Sequence, residues 1–569
     1  MLLEQLVDYA VSLEDTGPPM YQRVGIRSLI SLDTASGTAT LIMLSDGRGK
    51  KPDRGLAMFT PTLVKTVGIK AKLLADNAEY VLGWSRGGAD AAKVAKRHTA
   101  FIDRVRRCAE DTREPSVRAV LEFLELDRQA QLEHPDDFDP SANMTFRVDG
   151  VFPTDLPAVR DWWAAEMAPD DERSGQVQCL VCGRRRPAVE RLQFKIKGIR
   201  GGQAAGKSLI SANSNAFESY GLEASRVAPI CSDCAERFSK GLNQLISNEK
   251  THLYVDDVVY VFWAPGSDDV PLTALLSRPD PTIVRGLYEN VYRVHQGSLR
   301  SDMRPFYGVA LAASGGRVAV RDWIDTTIGN AQEHLVRWFQ RQQIAAPDGG
   351  EARLLSIRAL TDATRREESR NAAPPYVSRA LFRAALTGGP LPVTLISLVV
   401  GRIGAVHEVS AARAALIKLV LLSNRNVFDP EEDPLVELNE HEQDSAYLCG
   451  RLLAELDAVQ RAALGQRNAT IIDRFYGTAS SAPASVFGRL LRGAQPHLAR
   501  LRRDRPGAYI ALERRMEEIM SGLPVFPRTL SMEEQGMFAL GYYHQRSADA
   551  KARLEHSQAN QTTTDESTE

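Results

Sequence analysis

Residues 176–234 read QVQCLVCGRRRPAVERLQFKIKGIRGGQAAGKSLISANSNAFESYGLEASRVAPICSDC. Two Cys-x-x-Cys knuckles, Cys179/Cys182 and Cys231/Cys234, stand near its ends with 48 residues between them. Four thiolates at that local spacing suit tetrahedral zinc. All four ligands would be protein groups, so the reading is a closed structural site with no coordination position left for a catalytic water. Four unbound core thiols are the alternative. Bound zinc would pin the two ends of the intervening segment together.

That segment is locally basic in a chain whose net charge is only -2. From Arg184 to Lys207 it carries eight basic residues (Arg184, Arg185, Arg186, Arg191, Lys195, Lys197, Arg200, Lys207) and one acid, Glu190. This is a local phosphate-binding density. Gly201, Gly202 and Gly206 let backbone approach a ligand, and Gln203, Asn213 and Asn215 supply amides able to read base edges. A solvated charge run is the competing reading. Gly201 to Ser208 also satisfies the P-loop pattern GxxxxGK[ST] letter for letter. A P-loop must leave a buried strand and open a helix whose N-terminus holds the phosphates. The charged LQFKIKGIR before it and the Ser- and Asn-rich SLISANSN after it fail that requirement.

Outward from this segment the patterning is mixed before it and mostly helical after it. RVGIRSLISLD, DTASG and GTATLIMLS predict a hairpin, and MTFRVDG a further strand. Val94, His98, Phe101, Ile102 and Val105 predict a helix between Asn77 and Glu125, with Cys108 as a core thiol, and DLPAVRDWWAAEMA predicts another. FYGVALAASGGRVAVRDW reads strand, glycine turn, strand. Leu448, Leu452, Leu456 and Val459 form an apolar stripe, the mark of a C-terminal bundle. The chain thus reads as α+β: a mixed N-terminal domain with a zinc-knuckle insertion, followed by a C-terminal helical bundle. The expected regions are 1–175, 176–265, 266–345, 346–425, 426–556 and a disordered tail, 557–569.

With 569 residues, 43% apolar and 25% charged, the composition is that of a globular protein. The acidic amphipathic N-terminus lacks the basic n-region of a signal peptide, and no window approaches ~20 consecutive apolar residues, so a cytoplasmic, membrane-free protein is expected. Among ten histidines no Ser/His/Asp, Cys/His or paired-carboxylate arrangement stands out, so no catalysis is expected.

Four strings carry a family resemblance: the opening through GIKAKLLADNAEYVLGW, the loop FKIKGIRGGQAAGKSLISANSNAFESYG, NATIIDRFYGTASSAPASVFGRLLRGAQPHLARL, and EEQGMFALGYYHQR. On these the chain resembles, along nearly its whole length, the large subunit of the type I-C (Dvulg subtype) CRISPR surveillance complex. Relatives usually carry a small residue where Lys207 stands. The resemblance implies a non-catalytic protein at the foot of a crRNA-guided complex, reading the protospacer-adjacent motif in target double-stranded DNA and supporting the displaced single strand. Its implied partners are crRNA, the Cascade backbone and guide-processing subunits, and a helicase-nuclease recruited after R-loop formation. A small subunit made from the same C-terminal coding region is also implied. With no Met between Met303 and Met516, its start would need a Val or Leu codon.

On this reading Lys195, Lys197 and Lys207 anchor phosphates while Gln203, Asn213 and Asn215 face bases, with Lys70 and Lys72 as further contacts. Arg489, Arg492, Arg500, Arg502 and Arg503 make a groove for the displaced strand, with a merely solvated helix face as the competing reading. The rivals are a P-loop NTPase acting on nucleic acid and an unrelated zinc-ribbon binding module. Hydrolysis lost in Lys207→Ala would favour the first, and a co-purifying guide RNA would dismiss both.

Overall fold

The computed structural model describes residues 1–565 apart from 14–16, 48–52, 54, 64, 66–67, 85–89, 129–131, 134, 136–137, 169–175, 191, 203–205, 213, 266–270, 349–352, 366–372, 425–434 and 466–469. The six regions expected from sequence group into two units. One is Met1–Ser247 with Ala313–Ala319; the other is Asn248–Ala312 with Val320–Glu569.

The first unit is built on β1 (Tyr21–Ile26), β2 (Ser28–Asp33), β3 (Thr38–Met43), β4 (Leu56–Pro61), β5 (Ala75–Asn77) and β6 (Asn143–Val148). β1 pairs with β4, and the larger sheet runs β3-β2-β6-β5. The hairpin expected at DTASG is β2–β3. Asp33 makes the turn by accepting from the Ala35 and Ser36 amides at 2.9 and 3.0 Å. β2 and β6 are parallel, a pairing that needs a long crossover, and the helices Ala91–Thr112 and Pro115–Glu125 supply it. Asp90 caps the first of these by accepting from the Ala92 amide at 3.0 Å, and Pro115 opens the second. Phe101 and Phe123 bring their buried faces to Phe146 of β6, with ring centroids 6.5 and 6.3 Å apart. Cys108 lies in this core, as expected.

Two short strands, β7 (Gln176–Gln178) and β8 (Arg185–Pro187), and the Ser232–Ser247 helix complete this unit. The knuckle segment is therefore part of the N-terminal unit. The Leu2–Ser12 helix packs on Ser232–Ser247, and Glu236 accepts the Met20 amide at 2.9 Å while pairing with Lys240 at 2.7 Å.

In the second unit β9 (His252–Val255), β10 (Val258–Trp263), β11 (Pro305–Ser314) and β12 (Arg317–Thr327) form a four-stranded sheet in the order β12-β11-β10-β9. Every residue of β10 is buried. Tyr260 of β10 packs on Phe382 of the Pro375–Thr387 helix, centroids 3.9 Å apart, and shares a 2.7 Å hydrogen bond with Ser378.

Beyond this sheet the chain is helical. Ser445–Leu464 runs through the middle of a bundle made with Ile471–Ser481, Phe487–Asp504, Pro506–Ser521 and Met532–Asp565. Leu448, Leu452, Leu456 and Val459 are all buried, and so are Arg451, Glu455 and Asp457 on other faces. The apolar stripe marked one side of a helix that is enclosed around most of its circumference. Gly450 and Gly541 permit this: a Cβ on either would lie 2.0 and 2.1 Å from the carbonyls of Phe538 and Tyr447. The last helix continues to Asp565, past the point where a disordered tail was expected. Once a long helix is nucleated, each added residue costs little, so the turns before that point propagate through residues of low helix propensity. Among the described residues no helix is long and apolar enough to cross a membrane.

Inside the bundle, fully buried Glu455 accepts from Arg515 at 2.8 and 3.1 Å; Asp549 stands 3.7 Å from the same guanidinium, and Arg451 donates to Gln545 at 3.1 Å. Burial, helped by the Asp549 charge and opposed by Arg515 and Arg451, raises the Glu455 carboxyl to about 7 from an ordinary value of 4.5. Between those pH values the folded chain holds more protons than the unfolded one, so this group's contribution to stability falls as pH rises through that window. The loss is on the order of 3 kcal/mol. The thermal midpoint difference between wild type and Glu455→Gln should therefore change between pH 5 and pH 8. A difference independent of pH would contradict this assignment.

Candidate metal centre and nucleic-acid interface

The four knuckle sulfurs converge: one Sγ each from Cys179, Cys182, Cys231 and Cys234 lie within 4.8 Å of one another. Cys182 and Cys231 are 3.9 Å apart, close to the roughly 3.8 Å edge of a tetrahedron with zinc–sulfur bonds of about 2.3 Å. Backbone amides point at the cluster as they do around bound thiolates. Val181 and Cys231 both donate to the Cys179 sulfur at 3.4 Å. Gly183, at φ +69°, turns the first knuckle, and Cys234 sits in the first turn of the Ser232–Ser247 helix.

Without a cation the four thiols cannot all ionise. A hydrogen bond with Cys234 pulls Cys231 down to about 5, and the same contact drives Cys234 far above the ordinary thiol range. A divalent ion would resolve that conflict. Cys179, Cys231 and Cys234 are buried and Cys182 is exposed, so the donor set fits a structural ion held by sulfur alone.

The basic loop is fastened to this base by its own chain. Ile196 and Lys207 exchange backbone hydrogen bonds at 2.8 and 2.9 Å, which holds two points of the basic stretch side by side. Gly206 is required there: it sits at φ +86°, and a Cβ would lie 2.8 Å from the Ile196 carbonyl. Asn243, from the helix that carries Cys234, accepts from the Lys197 amide at 2.8 Å and donates to the Lys195 carbonyl at 2.9 Å. The turn of the β11–β12 hairpin, within Ala313–Ala319, braces the far side, where Val318 donates to the Ser208 carbonyl at 2.9 Å.

The residues expected at nucleic acid separate on this frame. Lys197, Arg200 and Asn215 are exposed. Lys195 is half-buried, its ammonium donating to Ser208, and burial lowers its pKa. Lys207 is only 5% exposed and its ammonium donates to the Gly315 carbonyl, so it is a strut between loop and hairpin rather than a surface phosphate anchor. No helix follows Ser208 among the described residues before the short turn Asn215–Phe217, and Lys207 lies in a β-bridge, so the P-loop letters do not form a P-loop. Gln203 and Asn213 lie outside the described residues. Lys70 is exposed and Lys72 half-buried, beside Asp76, which accepts the Lys72 amide at 3.1 Å and pairs with Lys65 at 2.5 Å.

The second basic surface lies on the Phe487–Asp504 helix. Phe487, Leu490, Ala494, Leu498 and Leu501 are its buried face. At about 100° per residue, Arg489, Arg492, Arg500 and Arg503 fall within about 80° of one another on the other side. All four are exposed. Arg502 is exposed too but lies off that stripe, 5.9 Å from the Tyr509 ring. Asp504 partly offsets the stripe by pairing with Arg500 at 3.4 Å and Arg503 at 2.8 Å.

The model of the CRISPR-associated protein (Cas_Csd1) family matches residues 6–549. The chain belongs to this family. It is the family of type I-C large subunits, which act in CRISPR effector complexes with crRNA and other Cascade subunits. No curated protein matches the chain.

Two residues of this Cas_Csd1 chain escape a reading of the sequence. Asn243 had one available signal: an Asn inside an amphipathic helix is a poor helix former there without a partner. Arg317 had none. It comes from a hairpin about a hundred positions away, yet its guanidinium stacks 3.7 Å from the centre of the Phe217 ring and donates to the Ser211 carbonyl at 3.2 Å.

Proposed function

We propose that this chain is a non-catalytic large subunit that reads the protospacer-adjacent motif of target DNA with the 195–215 loop, and steadies the R-loop with the arginine stripe. Family membership supports the setting. The observation that carries the reading is a basic loop held at its base by a four-sulfur cluster and by Asn243, with Lys197, Arg200 and Asn215 turned outward. A rigid base of this kind sets where the loop stands before a duplex arrives, which favours affinity and register. Zinc in the cluster would supply that rigidity, its role being structural.

Lys197 and Arg200 suit phosphate, and Asn215 suits a base edge, where a bidentate contact discriminates by about 1–3 kcal/mol. In the assembled crRNA complex, Asn215→Ala should reduce binding to the preferred flanking motif more than to variant motifs. Lys197→Ala should weaken all motifs alike and lower the salt dependence by about one phosphate contact. Equal losses for Asn215→Ala across all flanking motifs would remove it from base reading.

A further inference from the structure

The loop ends in a feature that neither the metal cluster nor the basic residues explain. Tyr220 is 99% exposed, and it occupies a backbone position that a tyrosine fills only at a cost. Its φ is +54° and that of Gly221 is +70°, with the Leu222 amide donating to the Ser219 carbonyl at 3.0 Å. Two central residues of positive φ under such a bond make a type I′ turn, whose favoured pair is Asn-Gly. Aromatic side chains are outliers in the left-handed region, and strain of this kind collects at functional positions.

The ring gains no packing in return, so folding does not account for it. It is not a stray surface aromatic either. Phe217 (46% exposed) and Leu222 (40% exposed) stand within the same six residues, and Phe217 is held flat by the Arg317 guanidinium. Asn215–Phe217 forms a single 3-10 turn capped by Ser214. A cation, a pinned aromatic and a presented aromatic beside a basic loop are the parts of a stacking platform for unpaired bases.

We propose that Tyr220 stacks on an unpaired nucleobase of the bound nucleic acid, with the Phe217–Arg317 pair as a second, fixed face beside it. This deepens the reading of the 195–215 loop as a nucleic-acid interface and rests on it. The base belongs to the target DNA where the duplex opens or to the guide RNA, and both offer the same π-face.

Tyr220→Asn is the decisive variant, because Asn-Gly suits the turn at least as well and cannot unfold it. Tyr220→Phe keeps the ring. The intact complex is titrated with target DNA carrying 2-aminopurine next to the flanking motif, and separately assembled on crRNA carrying 2-aminopurine in its 5′ segment. Tyr220→Asn should bind target roughly tenfold more weakly and lose fluorescence quenching in one of the two arms, with an unchanged melting temperature. Tyr220→Phe should match wild type.

Wild-type binding and quenching in Tyr220→Asn would overturn the proposal. If Lys197→Ala still weakens binding in that case, the loop remains a nucleic-acid interface and only the stacking falls. If Lys197→Ala and Asn215→Ala are also silent, both readings fall together. Loss of other subunits from the Tyr220→Asn complex would mark a protein contact, and would overturn the stacking role as well.

Discussion

Replacing Cys231 and Cys234 by serine should leave the chain without bound metal and unfold the base of the basic loop, whereas the wild-type chain purified with zinc carries one ion. Structural zinc sites in small domains contribute apparent free energies of roughly 10–16 kcal/mol, comparable to the whole stability of an ordinary domain. In this chain the loss falls on a defined region. The Leu180 amide bonds to Pro229 and the Val189 amide to Ile230, both at 2.9 Å, so the two knuckles hold each other through backbone as well as sulfur. Elemental analysis should fall from one zinc per chain to near none. Hydrogen exchange should accelerate across residues 176–247, while the Ser445–Leu464 helix, in the other unit, keeps its protection. A wild-type chain that binds no zinc, or a double variant with unchanged exchange, would exclude a metal role for the cluster.

The second large effect concerns the arginine stripe. Changing Arg489, Arg492, Arg500 and Arg503 together to glutamine should lower the slope of log affinity against log salt by about 3, since each single-strand phosphate contact accounts for about 0.7. Stable R-loops should become short-lived at 0.15 M salt. Arg502→Gln, exposed but off the stripe and beside Tyr509, should change the slope little. All five residues come from one short window, so a composition effect would treat them alike, and only the helical geometry separates them. An unchanged slope in the fourfold variant would assign the stripe to solvent.

Much of this was legible from residue order. Cys-x-x-Cys spacing brings two sulfurs of each pair together through local backbone geometry, and Asp33 with Gly37 shapes its own turn. The buried faces of Ala91–Thr112 and Phe487–Asp504 follow from a period of 3.6. Lys207 shows the limit. Its basic, glycine-flanked neighbourhood argued for a surface phosphate contact, but the carbonyl that binds its ammonium, Gly315, arrives from a hairpin far along the chain. Ser445–Leu464 shows it again, because a stripe of leucines reports one buried face and says nothing of a second helix passing at glycine distance on the others.

The sequence by itself determined most of the elements, the pairing of the four thiols into two knuckles and the arginine stripe, because each depends on spacings of a few residues that backbone geometry translates directly. The tertiary structure decided which lysines face outward, that Asn243 fastens the loop, that Arg317 flattens Phe217, and that Tyr220 is left bare at a strained turn. Those outcomes depend on packing between segments tens to hundreds of positions apart. Neither charge nor periodicity carries that information.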